Sequence, residues 1–170
     1  MSILIRRLSN LPGALALFIE AWVRLGLARF AIKRGTFRNL HTPWGVPMYE
    51  TFRAPHPDRA TAIRISRAIE RASRVTPWVS NCLPQAMTAK QMLQKRGLRS
   101  TLYLGLATDK NGKILAHAWL RCGAFYVTGG RGQGFTVVGA FAESDDPHAQ
   151  TASPASAETQ SALNLLKNAK

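Results

Sequence analysis

The stretch Ser80-Asn81-Cys82-Leu83-Pro84-Gln85-Ala86-Met87 decides how this chain is read. Ser80 and Asn81 are favoured helix N-cap residues, and a proline such as Pro84 is best tolerated in a first helical turn, where its missing N–H has no partner to lose. Leu83, Ala86, Met87, Ala89 and Leu93 then mark the apolar side of a helix running to Arg96. Gly97 stops it as a C′ glycine, after Lys95 and Arg96 in the last turn. Cys82 therefore stands at, or one residue before, a helix N-terminus. A thiol attacks only as thiolate, and the unpaired N–H groups and dipole of a helix N-terminus favour that anion.

Beyond Gly97 the apolar period changes from 3.6 to 2. Thr101–Ala107 reads as a strand, Asp109-Lys110-Asn111-Gly112 as a hairpin turn, and Ile114–Arg121 as the returning strand. Cys122-Gly123-Ala124 turns into a strand over Phe125–Thr128, Gly129–Gly134 is a glycine-rich strand connection, and Phe135–Phe141 is a last apolar strand. The returning strand carries Ala116-His117-Ala118-Trp119, and alternation sets His117, Trp119 and Arg121 on one face, with Ala116, Ala118 and Leu120 on the other. Antiparallel strands preceded by helices predict an α+β domain.

Working back from Cys82, Ala62, Ile63, Ile65, Ile69 and Ala72 predict a helix over 59–73, its outer face charged by Arg59, Arg64, Arg67, Arg71 and Arg74. Residues 39–58 hold Pro43, Pro47, Pro55 and Pro57, which exclude a continuous helix; an irregular connection is expected, with one short strand near Met48–Phe52. Leu15, Phe18, Ile19, Trp22, Val23, Leu25, Leu27 and Phe30 predict an earlier, nearly all-apolar helix, with Glu20 and Arg24 as an i, i+4 pair. Arg6 and Arg7 before an apolar run imitate a signal peptide, but Glu20, Arg24 and Arg29 interrupt the run, and no stretch of 18 apolar residues is present for a membrane span. Three regions result: a helical part with its Pro-rich connection at 1–73, a core at 74–142, and an Ala/Ser/Thr/Gln-rich segment at 143–170. That last segment is expected to be mobile apart from a short helix near Ser161–Asn168.

The bulk composition narrows the function classes. The 170 residues carry a net charge of +14, and residues 1–142 hold 21 basic and five acidic groups, a net of +16. Such a surface attracts polyanions, yet no nucleic-acid-binding signature accompanies it. Two cysteines, Cys82 and Cys122, exclude a disulfide-stapled scaffold and a metal knuckle, and the chain is expected to be cytoplasmic. His41, His56 and His148 are scattered, so no metal and no cofactor is implied. Cys122 reads as a spare thiol, Lys95 and Arg96 as a solvated helix end, and no Gly-Lys-Ser/Thr follows Gly129–Gly134 to suggest phosphate binding.

Cys82 on a helix, then His117 on a strand, is the pairing a thiol nucleophile and its base require. Cys82-Leu83-Pro84-Gln85-Ala86, Leu93-Gln94-Lys95-Arg96-Gly97-Leu98, Leu102-Tyr103-Leu104-Gly105 and Ala116-His117-Ala118-Trp119-Leu120, in this order, resemble the lasso peptide biosynthesis B2 protein family over residues 74–142. The resemblance implies an α+β transglutaminase/papain-like cysteine peptidase fold with Cys82 and His117 catalytic. It further implies removal of the leader from a ribosomally made precursor peptide, presented by a PqqD-like leader-recognition protein (B1) and passed on to an ATP-dependent lasso cyclase. That family is described by a Cys-His-Asp triad, and here residues 121–134 contain no acid, Ala124 standing at the turn where an Asp would serve. A backbone carbonyl or the Thr128 hydroxyl is left to orient the imidazole, and the third member stays unassigned. The alternative is a weak or inactive transglutaminase-like scaffold that binds a peptide or partner protein. A transferase using the same residues, with an amine in place of water, is also open.

Overall fold

A computed structural model describes residues 13–35, 44–54, 58–144 and 157–168. Helix α1 spans Gly13–Arg34, strand β1 Val46–Pro47, helix α2 Arg59–Ser73 and helix α3 Cys82–Gln94; strands β2 Thr101–Thr108, β3 Ile114–Cys122, β4 Phe125–Thr128 and β5 Thr136–Ala142 follow, and helix α4 spans Ala157–Asn168. The five strands form one sheet in the order β1-β5-β2-β3-β4, with every neighbouring pair antiparallel. This is the α+β architecture that the change of period predicts.

Local chemistry sets the boundaries. The α3 C-terminus closes as a Schellman motif, in which Leu98 N donates to Leu93 O at 3.0 Å and Gly97 N to Gln94 O at 3.0 Å, with Gly97 at φ 70°. The β2–β3 hairpin is held by Asp109, whose Oδ1 accepts from Asn111 N at 2.8 Å and Lys113 N at 2.9 Å. One apolar core lies between the helices and one face of the sheet, joining Leu25 and Ile32 of α1, Ile65 and Ile69 of α2, Leu83 and Met92 of α3, and Leu102, Leu104 and Leu120 of the sheet. Residues on either side of position 73 therefore share a core.

Several features depart from the sequence reading. The strand expected near Met48–Phe52 is instead the two-residue β1, because Met48 adopts φ 56° and breaks the extended run. The segment that follows is fixed by side chains: buried Arg121 donates to Thr51 O at 2.8 Å and Phe52 O at 3.3 Å, while Tyr103 Oη donates to Glu50 at 2.6 Å. Lys95 and Arg96 are more than a solvated end, since both reach Glu20 of α1, Arg96 at 2.7 Å. Burial pushes the Glu20 carboxyl up, but Arg96, Lys95 and Arg24 outweigh it and hold it below its ordinary value. The short helix expected near Ser161–Asn168 is α4, which starts four residues earlier at Ala157 and sets Ala162, Leu163 and Leu166 into the core. Residues 145–156 lie outside the described residues.

Candidate active site

Helix α3 begins at Cys82, which is half-buried. Asn81 occupies the N-cap position with extended backbone but makes no side-chain capping bond, so the N–H groups of the first turn are not closed off by it. The approach to Cys82 is held from the other side. Gln85 Nε2 donates to Ser80 O at 2.7 Å, Ser80 Oγ and Thr76 Oγ1 share a hydrogen bond at 2.8 Å, and Trp78 packs on Trp22 of α1 with ring centroids 4.8 Å apart. Gly26 makes room for that indole, because a Cβ there would stand 3.0 Å from it.

His117 lies on β3 beside Cys82, and its interaction with that side chain raises its pKa above the ordinary histidine value; burial opposes the rise, and the carbonyl of Gly129 adds to it. The ring Nε2 stands 2.7 Å from Gly129 O. A carbonyl only accepts, so Nε2 carries the proton and donates, which leaves Nδ1 to face the thiol. That tautomer is the one a general base needs. Trp119 stacks beside the imidazole at 5.8 Å and Phe135 lies against it at 5.0 Å, while Trp119 is backed by Tyr103 at 5.5 Å. These rings limit where the imidazole can turn.

The glycine-rich loop has a steric cause. Gly129 has φ 73°, and a Cβ on it would lie 2.5 Å from Ala118 O; a Cβ on Gly132 would lie 2.5 Å from the Trp119 ring. Only glycine lets this loop close over Trp119 and aim a carbonyl at His117. The loop is the strand connection expected, and it also supplies the orienting group. Thr128, the other candidate, has a buried hydroxyl with no hydrogen-bond partner. Sequence reasoning missed Gly129 and Phe135 as neighbours of the imidazole, since a backbone acceptor leaves no residue-type signal.

The structure thus brings Cys82 and His117 together, and among the described residues no carboxylate contact to His117 accompanies them. Cys122 lies in the main core, where burial pushes its thiol up. Among the described residues no three His, Cys, Asp or Glu side chains gather as a metal site; His41, His56 and His148 fall outside them. Among the same residues no helix is long and apolar enough to cross a membrane.

A family model described as the transglutaminase-like superfamily matches residues 21–140. The chain belongs to that superfamily. The match runs from α1 to β5, so the helices ahead of Cys82 are part of the transglutaminase-like domain, and both Cys82 and His117 fall inside it. The superfamily includes cysteine peptidases. No curated protein and no solved structure gives a match. Within this transglutaminase-like domain Cys82 stands in the first turn of α3, the end of a helix that attracts negative charge.

Proposed function

We propose that this transglutaminase-like protein is a cysteine peptidase that removes the leader from a ribosomally synthesised lasso precursor peptide. The observation that carries the peptidase reading is the pairing of His117 with Cys82 at the head of α3, with His117 Nε2 fixed on Gly129 O at 2.7 Å. The lasso context rests on the similarity of the Cys82-Leu83-Pro84 and Ala116-His117-Ala118-Trp119 segments to that family. In the reaction, His117 takes the Cys82 proton, the thiolate adds to the scissile carbonyl, and the imidazolium returns the proton to the leaving amine as the C–N bond breaks. Water, deprotonated by His117, then attacks the thioester and releases the carboxylate with the thiol restored. The enzyme works in the cytoplasm with a PqqD-like recognition protein holding the leader and an ATP-dependent cyclase using the freed amine. Its positive surface, +14 overall, suits an acidic peptide or partner.

The test is mass spectrometry of a lasso precursor incubated with the protein and a recognition partner, wild type beside Cys82→Ala. A leader-sized loss with wild type alone supports the reading; loss with both variants removes Cys82 from the mechanism. The second reading, a peptide-binding scaffold of low activity, is favoured by a carbonyl standing where a triad carboxylate is expected. It requires no cleavage by either protein while the peptide still binds.

A further inference from the structure

Resting on that peptidase reading, we infer that the outer edge of β3 at Ile114–Ala116 is the peptide-binding site, taking an extended apolar peptide as an added strand. β3 pairs with β2 from Thr101↔Arg121 to Thr108↔Ile114, the whole of β2. It pairs with β4 only from Leu120 to Cys122, because the chain leaves β4 at Thr128 and turns to His117 through Gly129. Among the described residues no strand therefore covers Ile114–Ala116 on that side. Alternate residues of such an edge aim N–H and C=O outward, a template for another chain.

Edges of this kind are ordinarily blunted by a charge, a proline or a bulge. This one carries Ile114, 53% exposed, and Leu115, 39% exposed, with no charge among its three residues. It also ends at the reacting groups. Ala116 packs on the main core together with Cys82, whereas His117 and Trp119 lie on the opposite face, so the thiol and imidazole meet where β3 has lost its outer neighbour. A peptide laid along this edge meets them directly. Its side chains would alternate between Leu115 on one face and Ile114 and Ala116 on the other. Main-chain pairing with shallow apolar contacts selects an unfolded, aliphatic-rich segment and tolerates variation in its sequence.

The probe is acetyl-Val-Leu-Gly chloromethyl ketone, compared with isomers N-methylated singly at each amide, with alkylation of Cys82 followed by mass spectrometry. Iodoacetamide serves as the small control. Strand addition predicts that methylation at alternate amides slows labelling about ten-fold, one paired hydrogen bond being lost, while the intervening position has little effect. Ile114→Lys should slow the unmethylated probe and leave iodoacetamide unchanged. Equal rates for all methylated isomers, with Cys82 still reactive to iodoacetamide, overturn the edge site and spare the nucleophile. A Cys82 inert to both reagents overturns the nucleophile and this inference with it.

Discussion

His117 Nε2 donates to the carbonyl oxygen of Gly129 at 2.7 Å, and this bond fixes which ring nitrogen faces Cys82. A carboxylate in that place would also stabilise imidazolium by charge; a carbonyl supplies orientation and a dipole only. The site therefore depends on the position of one backbone group.

Gly129→Ala tests that dependence. The added methyl would meet Ala118 O at a φ that alanine adopts poorly, so the carbonyl must move. Cleavage should fall about ten- to hundred-fold, as ångström-scale misplacement of a catalytic group does. Stability should fall by roughly 1–3 kcal/mol, the usual cost of a strained residue. Single-turnover kinetics with a denaturant melt separates the two; unchanged turnover would show that the Gly129 carbonyl does not orient His117.

The two thiols should differ sharply in reactivity. Cys82 is half-buried beside an imidazole, whereas Cys122 is 2% exposed and its thiol is pushed up by burial. At neutral pH iodoacetamide should label Cys82 alone, and both should react in denaturant. Peptide mapping of the alkylated protein reads the outcome, and preferential labelling of Cys122 would contradict the assignment.

Much of this was legible in the chain, and the exceptions share a cause. Local signals were enough for α3 and the hairpin: Pro84 and Gly97 bracket the helix, Asp109 to Gly112 make the turn, and period-2 alternation separates the His117 face from the Ala118 face. What escaped was decided by long-range partners. Gly129 acts through its backbone, Glu20 meets Arg96 across 76 positions, and Arg121 holds Thr51 and Phe52 through carbonyls that no pattern marks. Helix α4 was legible over Ser161–Asn168, but its first turn from Ala157 was not, since Ala and Ser ahead of it carry no apolar period.

Lys90 is another group invisible to periodicity. It lies inside α3, 1% exposed, donating to Ser100 O at 2.9 Å and to Glu143 at 3.0 Å. Burial pushes its pKa down, with Glu143 opposing. Glu143→Ala strands a buried ammonium and should cost about 3–5 kcal/mol. Lys90→Met together with Glu143→Gln removes both charges and should cost much less. Urea melts of the two variants give the comparison, and equal losses would show that the ion pair is not what matters.

The pH dependence follows from the raised His117 pKa, caused first by its hydrogen bond to Cys82. A histidine with a folded pKa above its unfolded value stabilises the fold fully below the unfolded value. It loses that contribution as pH rises through the folded one. Stability from this group should thus decline between the ordinary histidine range, near 6.5, and the higher folded pKa. In Cys82→Ala the thiol partner is gone while the Gly129 carbonyl remains, so the histidine should titrate lower and the decline should shrink. Activity should share the alkaline limb: once His117 has lost its proton in the thiolate form, nothing protonates the leaving amine. Titration of the His117 C–H resonances by NMR in wild type and Cys82→Ala is the direct check. Identical midpoints would mean that the thiol does not set the charge of the imidazole.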